Sequence, residues 1–442
     1  MKINLTDEVS YILDTLNKNN KEAYIVGGCV RDSLLKRELK DWDITTSALP
    51  EEIIDLFSQT IPTGLKHGTV TVVINEHNFE ITTYRIDGEY SDNRHPDKVT
   101  FTPSLREDLS RRDFTINAMA YNKINNLVDL FNGSIDLNRR IIRCVGEPDK
   151  RFKEDALRML RAVRFACELQ FNIDKPTFNA IINNAYLLNY VSKERIRDEF
   201  CKMLLSDLPS RGLRMLEKTD LLSFIIPELK ESVGFDQKNP HHDKNVFDHI
   251  LSVVDNSSSE LVVRLSALLH DIGKPRTFTT DKKGIGHFYG HNTVGADMAE
   301  QILKRLRFDN ITIKKVSILI TEHMSIYANM KNRSLKKFIN RVGTDNLDSL
   351  FKLQMSDREG HKDNADYSPI LKRKEAIEAI INNGEAYNIG MLKINGDDLI
   401  KLGFKPGKEI GITLEELLNK VMERPEMNNR AKLLELAQNK KA

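Results

Sequence analysis

The feature that most constrains this chain is a pair of carboxylates, Asp41 and Asp43, that follows a glycine pair in "AYIVGGCVRDSLLKRELKDWDITTS". A short apolar run, Tyr24 to Val26, ends in Gly27-Gly28. The pattern predicts a helix from Val30 to Leu39 and then an alternating, β-prone stretch. Side chains along a strand alternate between faces, so Asp41 and Asp43 are expected on one face and Trp42 on the other. Two hard oxygen ligands side by side suit Mg²⁺, which takes few carboxylates and favours substrate phosphates. The Gly-Gly turn at a helix start offers backbone N–H groups to an anion. Together they read as phosphoryl or nucleotidyl transfer. Separately, each has an ordinary alternative: a solvated surface pair, and a plain turn.

At 442 residues the chain exceeds one ordinary core and is expected to form two to four domains. Lys+Arg number 66 against 64 Asp+Glu, so overall charge carries no nucleic-acid signal. Local charge does. Lys304 to Arg341 holds ten basic and two acidic residues, and Arg139 to Phe165 nine and four. Such stretches suit a polyanion, or else a solvated helix face. The four scattered cysteines (Cys29, Cys144, Cys167, Cys201) read as reduced thiols rather than a disulfide framework or a zinc site. The amino-terminal segment reads as an amphipathic helix with acidic residues, not a targeting peptide. No apolar run approaches a membrane span, so no membrane partner and a cytoplasmic location are expected.

The expected fold class is α+β: a mixed β-sheet head, then an all-α neck and body with an embedded helical unit. "GTVTVVINEHNFEITTYR" reads as a hairpin turning near Asn75 to Asn78. Beyond Glu147 apolar residues recur at three- and four-residue spacing. "NPHH" (Asn239 to His242) marks a break, and seven of the eleven histidines fall between His241 and His323. The expected domains are 1–147 (head), 148–240 (neck), 241–360 (histidine-rich unit) and 361–442 (helical tail, two stretches around a Gly/Pro-rich turn).

A two-metal site takes a further acidic ligand from a neighbouring element, and Glu80 in "FEITTYR" is the candidate. Arg31, at the predicted helix start, is placed to hold a triphosphate. In "LREDLSRRDFTINAMAYN", Arg111, Arg112, Asp113 and Asn117 sit densely: arginines suit phosphates, and Asp and Asn suit ribose hydroxyls. Asp129 and Gly133 in "VDLFNGSIDL" are expected in a turn. In "EDALRMLRAVRF", Asp155 and Arg158 are three apart, so on a helix they share a face. A carboxylate accepting from an exocyclic amine and a guanidinium donating to a ring acceptor satisfy cytosine and adenine. Guanine and uracil present the reverse order. Each group left unpaired costs about 1–3 kcal/mol. The plainer alternative is an i,i+3 surface ion pair.

"GGCVRDSLL…DWDITTS", "KHGTVTVV…FEITTYR", "RRDFTINAMA", "DLFNGSIDL", "EDALRMLRAVRF" and "ERIRDEFCKML" resemble the ordered motifs of class II tRNA nucleotidyltransferases, the CCA-adding enzymes, over roughly residues 22–205. The resemblance implies a nucleotidyltransferase-type head that uses Mg²⁺, CTP, ATP and tRNA. In it, Asp41 and Asp43 bind the catalytic metals with Glu80 as third carboxylate. Gly27, Gly28 and Arg31 meet the triphosphate. Arg111, Arg112, Asp113, Asn117 and Arg161 contact the nucleotide. Asp155 and Arg158 read the base, braced by Glu194 and Arg195, and the tail binds tRNA. Bacterial poly(A) polymerases share the head but usually carry an Arg-rich strand where this chain has "LKHGTVTVV". "RIDGEYSDNRHPDKVTF" resembles the flexible loop kept by CCA- and A-adding members. An A-adding enzyme or a non-catalytic RNA-binding protein stands as the alternative.

"FDHILSVVD", "LLHDIGKP", "GHNTVGAD", "ITEHM" and "QMSDREG" resemble the HD phosphohydrolase superfamily over roughly 241–360. His249, His270, Asp271 and Asp357 match its metal quartet, and His291 and His323 the further histidines of two-metal members. Imidazole suits Mn, Ni, Fe or Zn alike. The resemblance implies hydrolysis of cyclic or terminal phosphates, or a domain retained as an RNA-binding body.

Overall fold

The computed structural model describes residues 3–39, 41–88, 99–238, 244–325, 330–361 and 366–441. The "NPHH" break and most of the segment resembling a flexible loop lie outside these residues. The chain divides into two compact units, Met1–Lys230 and Glu231–Ala442.

The first unit opens with α1 (Asp7–Lys18), capped by Thr6, whose hydroxyl accepts from the Val9 N–H. Val9, Ile12, Leu13 and Leu16 recur at helical spacing and are buried. A seven-stranded sheet follows: β1 (Ala23–Val26), β2 (Asp43–Thr46), β3 (Thr60–Gly64), β4 (Thr69–Ile74), β5 (His77–Thr83), then, after the separate ladder β6 (Arg85–Asp87) with β7 (Val99–Phe101), β8 (Met119–Asn122) and β9 (Asn126–Asp129). Its order is β3-β4-β5-β2-β1-β8-β9. The interior strand β1 is buried along its whole length, which explains its unbroken apolar sequence. The β4–β5 hairpin turns at Asn75 and Glu76, both at positive φ, as a two-residue turn matched to strand twist requires. Within the sheet β2 and β5 run parallel, with Asp43 paired to Glu80.

The helices of this unit are α2 (Gly28–Leu34), α3 (Pro50–Leu56), α4 (Leu105–Ser110), α5 (Gly133–Arg139), α6 (Pro148–Glu154), α7 (Leu157–Glu168), α8 (Lys175–Asn184), α9 (Lys193–Leu204), α10 (Pro209–Lys218), α11 (Leu222–Ile225) and α12 (Pro227–Lys230). Buried nearly all round, α7 packs against α9 and α10. The second unit is built from α13 (Val246–Asn256), α14 (Leu261–Leu269), α15 (Lys274–Thr277), α16 (His291–Arg305), α17 (Asn310–Glu322), α18 (Asn332–Val342), α19 (Thr344–His361), α20 (Ser368–Asn382), α21 (Gly396–Lys401), α22 (Lys408–Glu423) and α23 (Arg430–Lys441). As expected, α21 and α22 flank a turn containing Gly403 and Gly407.

Three expectations need correction. The helix after the glycines begins at Gly28 and ends at Leu34, because Lys36 takes a positive φ that no helix continues. Asp41 is not in a strand: β2 begins at Asp43, the first residue paired with a neighbouring strand. The basic stretches are not wholly open surface, although most of the basic side chains from Lys304 to Arg341 are exposed. Lys336 is fully buried against Glu385 and the Met422 carbonyl, and Arg341 is paired with Glu322. In the earlier stretch, Arg143, Arg151, Arg158, Arg161 and Arg164 all hold carboxylates.

The turn at Asp129 forms as expected, its carboxylate accepting from the Gly133 and Ser134 N–H groups at 2.7 and 2.9 Å. A Cβ at Gly133 would stand 2.2 Å from the Thr115 carbonyl oxygen. Gly133→Ala is therefore expected to destabilise the protein by about 1–3 kcal/mol. Gly411→Ala, inside α22 with nothing within 4 Å, should be neutral or stabilising. Urea unfolding of both variants checks the pair.

Candidate functional sites

Parallel pairing of β2 and β5 sets the Asp43 and Glu80 side chains next to each other on one sheet face. Both border a cavity of about 240 Å³ that Arg111 and Arg112 also line. Asp41 lies exposed in the segment just before. Asp43 is exposed too, yet crowding by the surrounding protein raises its carboxyl above its ordinary range, Arg112 opposing and Asp41 adding to the shift. Gly27 adopts φ +76, and a Cβ there would meet the Arg112 guanidinium at 3.2 Å and the Asp43 carboxylate at 3.5 Å. The backbone thus comes close to both charges only because residue 27 is glycine.

A second cavity, of about 380 Å³, adjoins Asp43 and gathers every nucleotide-binding candidate: Gly27, Gly28, Arg31, Arg111, Arg112, Asp113, Asn117, Asp155, Arg158 and Arg161. Its walls are cross-linked. Arg31 donates to Asn117 Oδ1 (2.7 Å) and grips Asp32 with two further N–H groups. Asp113 is buried and accepts from its neighbour's Phe114 N–H, from Asn117 Nδ2 and twice from Arg161. Burial works against its charge, but Arg161 outweighs burial and holds the carboxyl down at about 2. These four bonds fix the Asp113 carboxylate in the cavity wall. Arg111 and Arg112 both reach the buried Asp108.

Asp155 and Arg158 line the cavity but do not share a helix face. Asp155 sits at the break between α6 and α7 in extended conformation (φ −143, ψ 104). Its Oδ1 accepts from the Leu157 N–H and Arg195 Nη1, and its Oδ2 from Arg195 Nη2 at 2.8 Å. Oδ2 therefore keeps a lone pair. Arg158 pairs with Glu154, not with Asp155, and donates to the Arg151 and Arg111 carbonyls. The sequence reading missed Phe165, whose ring floors the site with the guanidiniums of Arg164, Arg31 and Arg161 at 4.0, 5.0 and 5.2 Å from its centroid. It also missed Glu199, which accepts from Arg164. Three arginines at three-residue spacing ending in an aromatic was the available signal.

In the second unit all six candidate ligands converge. His249 comes from α13, His270-Asp271 from the end of α14, His291 from the start of α16, His323 from the end of α17 and Asp357 from α19. All are buried. The His249 Nε2 lies 3.1 Å from Asp357 Oδ1, 3.3 Å from His270 Nε2 and 3.4 Å from Asp271 Oδ2. On the other side of Asp271, Oδ1 lies 3.4 Å from His291 Nε2, which is itself 3.4 Å from His323 Nε2. The Nδ1 atoms of His270, His291 and His323 face the carbonyls of Ala267, Phe288 and Ile320. Donating there fixes the tautomer and leaves each Nε2 lone pair turned inward.

Two donors each about 2.0–2.2 Å from one ion stand roughly 3.0–3.5 Å apart, so these spacings fit a metal centre with Asp271 between two positions. The nitrogen-rich donor set fits a transition metal. Burial opposes charge on Asp271 and Asp357, yet their histidine neighbours hold both well below the usual carboxylate range. Burial likewise lowers His323, to about 4; with no metal bound, Asp271 outweighs burial at His270 and lifts it to about 10, a proton that a metal on Nε2 would displace.

Among the described residues, the sets of three or more closely spaced ligand atoms all lie in this unit, and Asp41, Asp43 and Glu80 are not among them. Lys274, buried and 2.7 Å from Asp271 Oδ2, and His361, 3.4 Å from Asp357, were not foreseen. Nor was Gln354, whose amide donates to the Glu322, His323 and Ser325 carbonyls and so holds the end of α17.

Comparison with known proteins places the chain in a family. The poly(A) polymerase head domain model matches residues 23–143, a model described as a probable RNA- and SrmB-binding site of polymerase A matches 170–232, and the HD domain matches 241–368. The CCA-adding enzyme of Lactobacillus helveticus is 38% identical over 410 residues, covering 92% of this chain and 90% of that one. That of Ligilactobacillus salivarius is 35% identical, covering 98% and 97%. Among solved structures, the Bacillus stearothermophilus CCA-adding enzyme in complex with CTP superposes with a TM-score of 0.74 at 28% identity, covering 98% and 97%. The chain belongs to the CCA-adding enzymes, the tRNA nucleotidyltransferases.

Proposed function

We propose that this enzyme adds or repairs the 3′-terminal CCA of tRNA from CTP and ATP, at the Asp43–Glu80 edge of the head sheet. The observation that carries this reading is the junction of two things: a carboxylate pair on neighbouring strands, and an arginine-lined cavity that also contains Asp155 and Arg158. A relative was solved with CTP, and a fold neighbour from Thermotoga maritima with tRNA.

The oxygen donors Asp41, Asp43 and Glu80 suit Mg²⁺, whose coordination is completed by phosphate oxygens. A divalent metal held there would supply Lewis-acid activation of the RNA 3′-hydroxyl and charge stabilisation for the departing pyrophosphate. The protein's part is positioning. Gly27 and Gly28 give the triphosphate access to backbone. Arg31, Arg111, Arg112 and Arg161 hold its charge, with Asp113 and Asn117 as the organisers that aim two of those arginines. Asp155 Oδ2 accepts from the exocyclic amine of cytosine or adenine, steadied by Arg195, while Arg158 donates to the ring acceptor. A poly(A) polymerase remains the alternative, and product length separates the two.

For the second unit we propose metal-dependent hydrolysis of terminal or cyclic phosphates, carried by the convergence of inward-facing imidazoles on Asp271 and Asp357. Lys274 supplies a buried positive charge beside a cavity of about 290 Å³ where a phosphate would enter.

Three outcomes are expected. Asp43→Ala should reduce nucleotide incorporation into trimmed tRNA by several orders of magnitude with an unchanged circular dichroism spectrum; near-normal turnover refutes the carboxylate role. Asp155→Ala should weaken discrimination against GTP and UTP by about ten- to a hundredfold, more than it slows CTP use; single-turnover incorporation of each nucleotide measures this. Finally, 2′,3′-cyclic nucleotide hydrolysis should require added Mn²⁺, Ni²⁺ or Zn²⁺ and vanish in His270→Ala. Hydrolysis absent in the wild type with every metal assigns this unit to RNA binding alone.

A further inference from the structure

The cluster in the second unit contains one imidazole, His361, beyond the six expected ligands. Asp357 and His361 lie four apart on α19, so both project from one helix face. Paired ligands at i and i+4 form a natural chelate on a helix. His361 Nε2 stands 3.4 Å from Asp357 Oδ1, within the spacing of two donors on one ion. The donor atoms of His249, Asp357 and His361 all lie within 4.8 Å of one another. The His361 ring stacks on that of His249, with centroids 4.4 Å apart and planes at 20°. Stacking holds the two rings side by side, both turned to the same carboxylate oxygen. A third of the His361 side chain is exposed, and it borders the same cavity as Asp271, Lys274, His291 and His323.

We propose that His361 is a direct ligand of the metal centre, closing it on the cavity side together with His249 and Asp357. This rests on the reading of the cluster as a metal centre. It differs from the simpler role of an outer donor that only hydrogen-bonds Asp357. A direct ligand needs an imidazole lone pair, whereas an outer donor needs only an N–H. Glutamine keeps an N–H but replaces the imidazole nitrogen lone pair with a weaker, harder amide-oxygen donor.

The test uses the full chain, stripped of metal and titrated with Co²⁺. Visible d–d absorption reports the ligand set, and elemental analysis reports ions bound per chain. His361→Ala and His361→Gln should both shift the wild-type band and weaken Co²⁺ binding by more than about tenfold, and free imidazole should restore the band in His361→Ala. A His361→Gln protein with the wild-type band and affinity overturns the proposal and makes His361 an outer donor. Failure of the underlying reading looks different: wild type binds no Co²⁺, or His270→Ala binds it as tightly as wild type. His361 is partly exposed near the end of its helix, and an unchanged unfolding midpoint in His361→Gln confirms that the fold is intact.

Discussion

The parallel pairing of β2 with β5 is the constraint on which the head depends. A parallel pair cannot be closed by a tight turn, so the chain must cross from β2 through α3, β3 and β4 before it returns. That detour gives the site its geometry. It sets Glu80, 37 positions later in the sequence, beside Asp43 in direct register. A one-residue slip would turn Glu80 to the opposite face. The apolar partners Ile44 and Ile81, both buried, make such a slip costly.

The nucleotide cavity rests on a second layer of ion pairs. Asp108 and Asp113 are buried and hold Arg111, Arg112 and Arg161 from behind, and Glu199 holds Arg164. Fixed guanidiniums lose less freedom on meeting a phosphate than free ones do. Phe165 gathers Arg31, Arg161 and Arg164 around one ring. Positive charge here is local and built in, and this is why the chain's near-neutral composition says nothing about it.

Much of this was legible in the sequence. Alternation marked the β4–β5 hairpin, the glycines marked the close backbone approach, and the ordered motifs brought together residues that do line one cavity. The failures share a cause. Spacing placed Asp155 and Arg158 on one helix face, but Asp155 leaves the helix to accept from Arg195, 40 residues away. The bonds that tie Asp113 to Arg161 and Asn117 were likewise not visible in the sequence. The internal ion pairs of the basic stretches were equally hidden. A local pattern reports which face a residue occupies if the helix continues; it does not report a competing partner from a distant element.

The second unit illustrates the same division. Six ligands were recognisable by their order along the chain, and the fold brings them together from five helices. Gln354 was not recognisable, because its importance lies in three backbone carbonyls at the end of α17. Arg373, buried between Phe338 and Phe351, holds that glutamine in turn. The imidazoles are thus aimed by backbone and amide contacts that no motif records.

The most direct test of the account is to incubate the protein with tRNA lacking its 3′ end and read product length at single-nucleotide resolution. CTP alone should stop at CC, CTP with ATP should stop at CCA, and GTP or UTP should add nothing. Long adenosine tails from ATP alone, or no extension with any nucleotide in the presence of Mg²⁺, would contradict it.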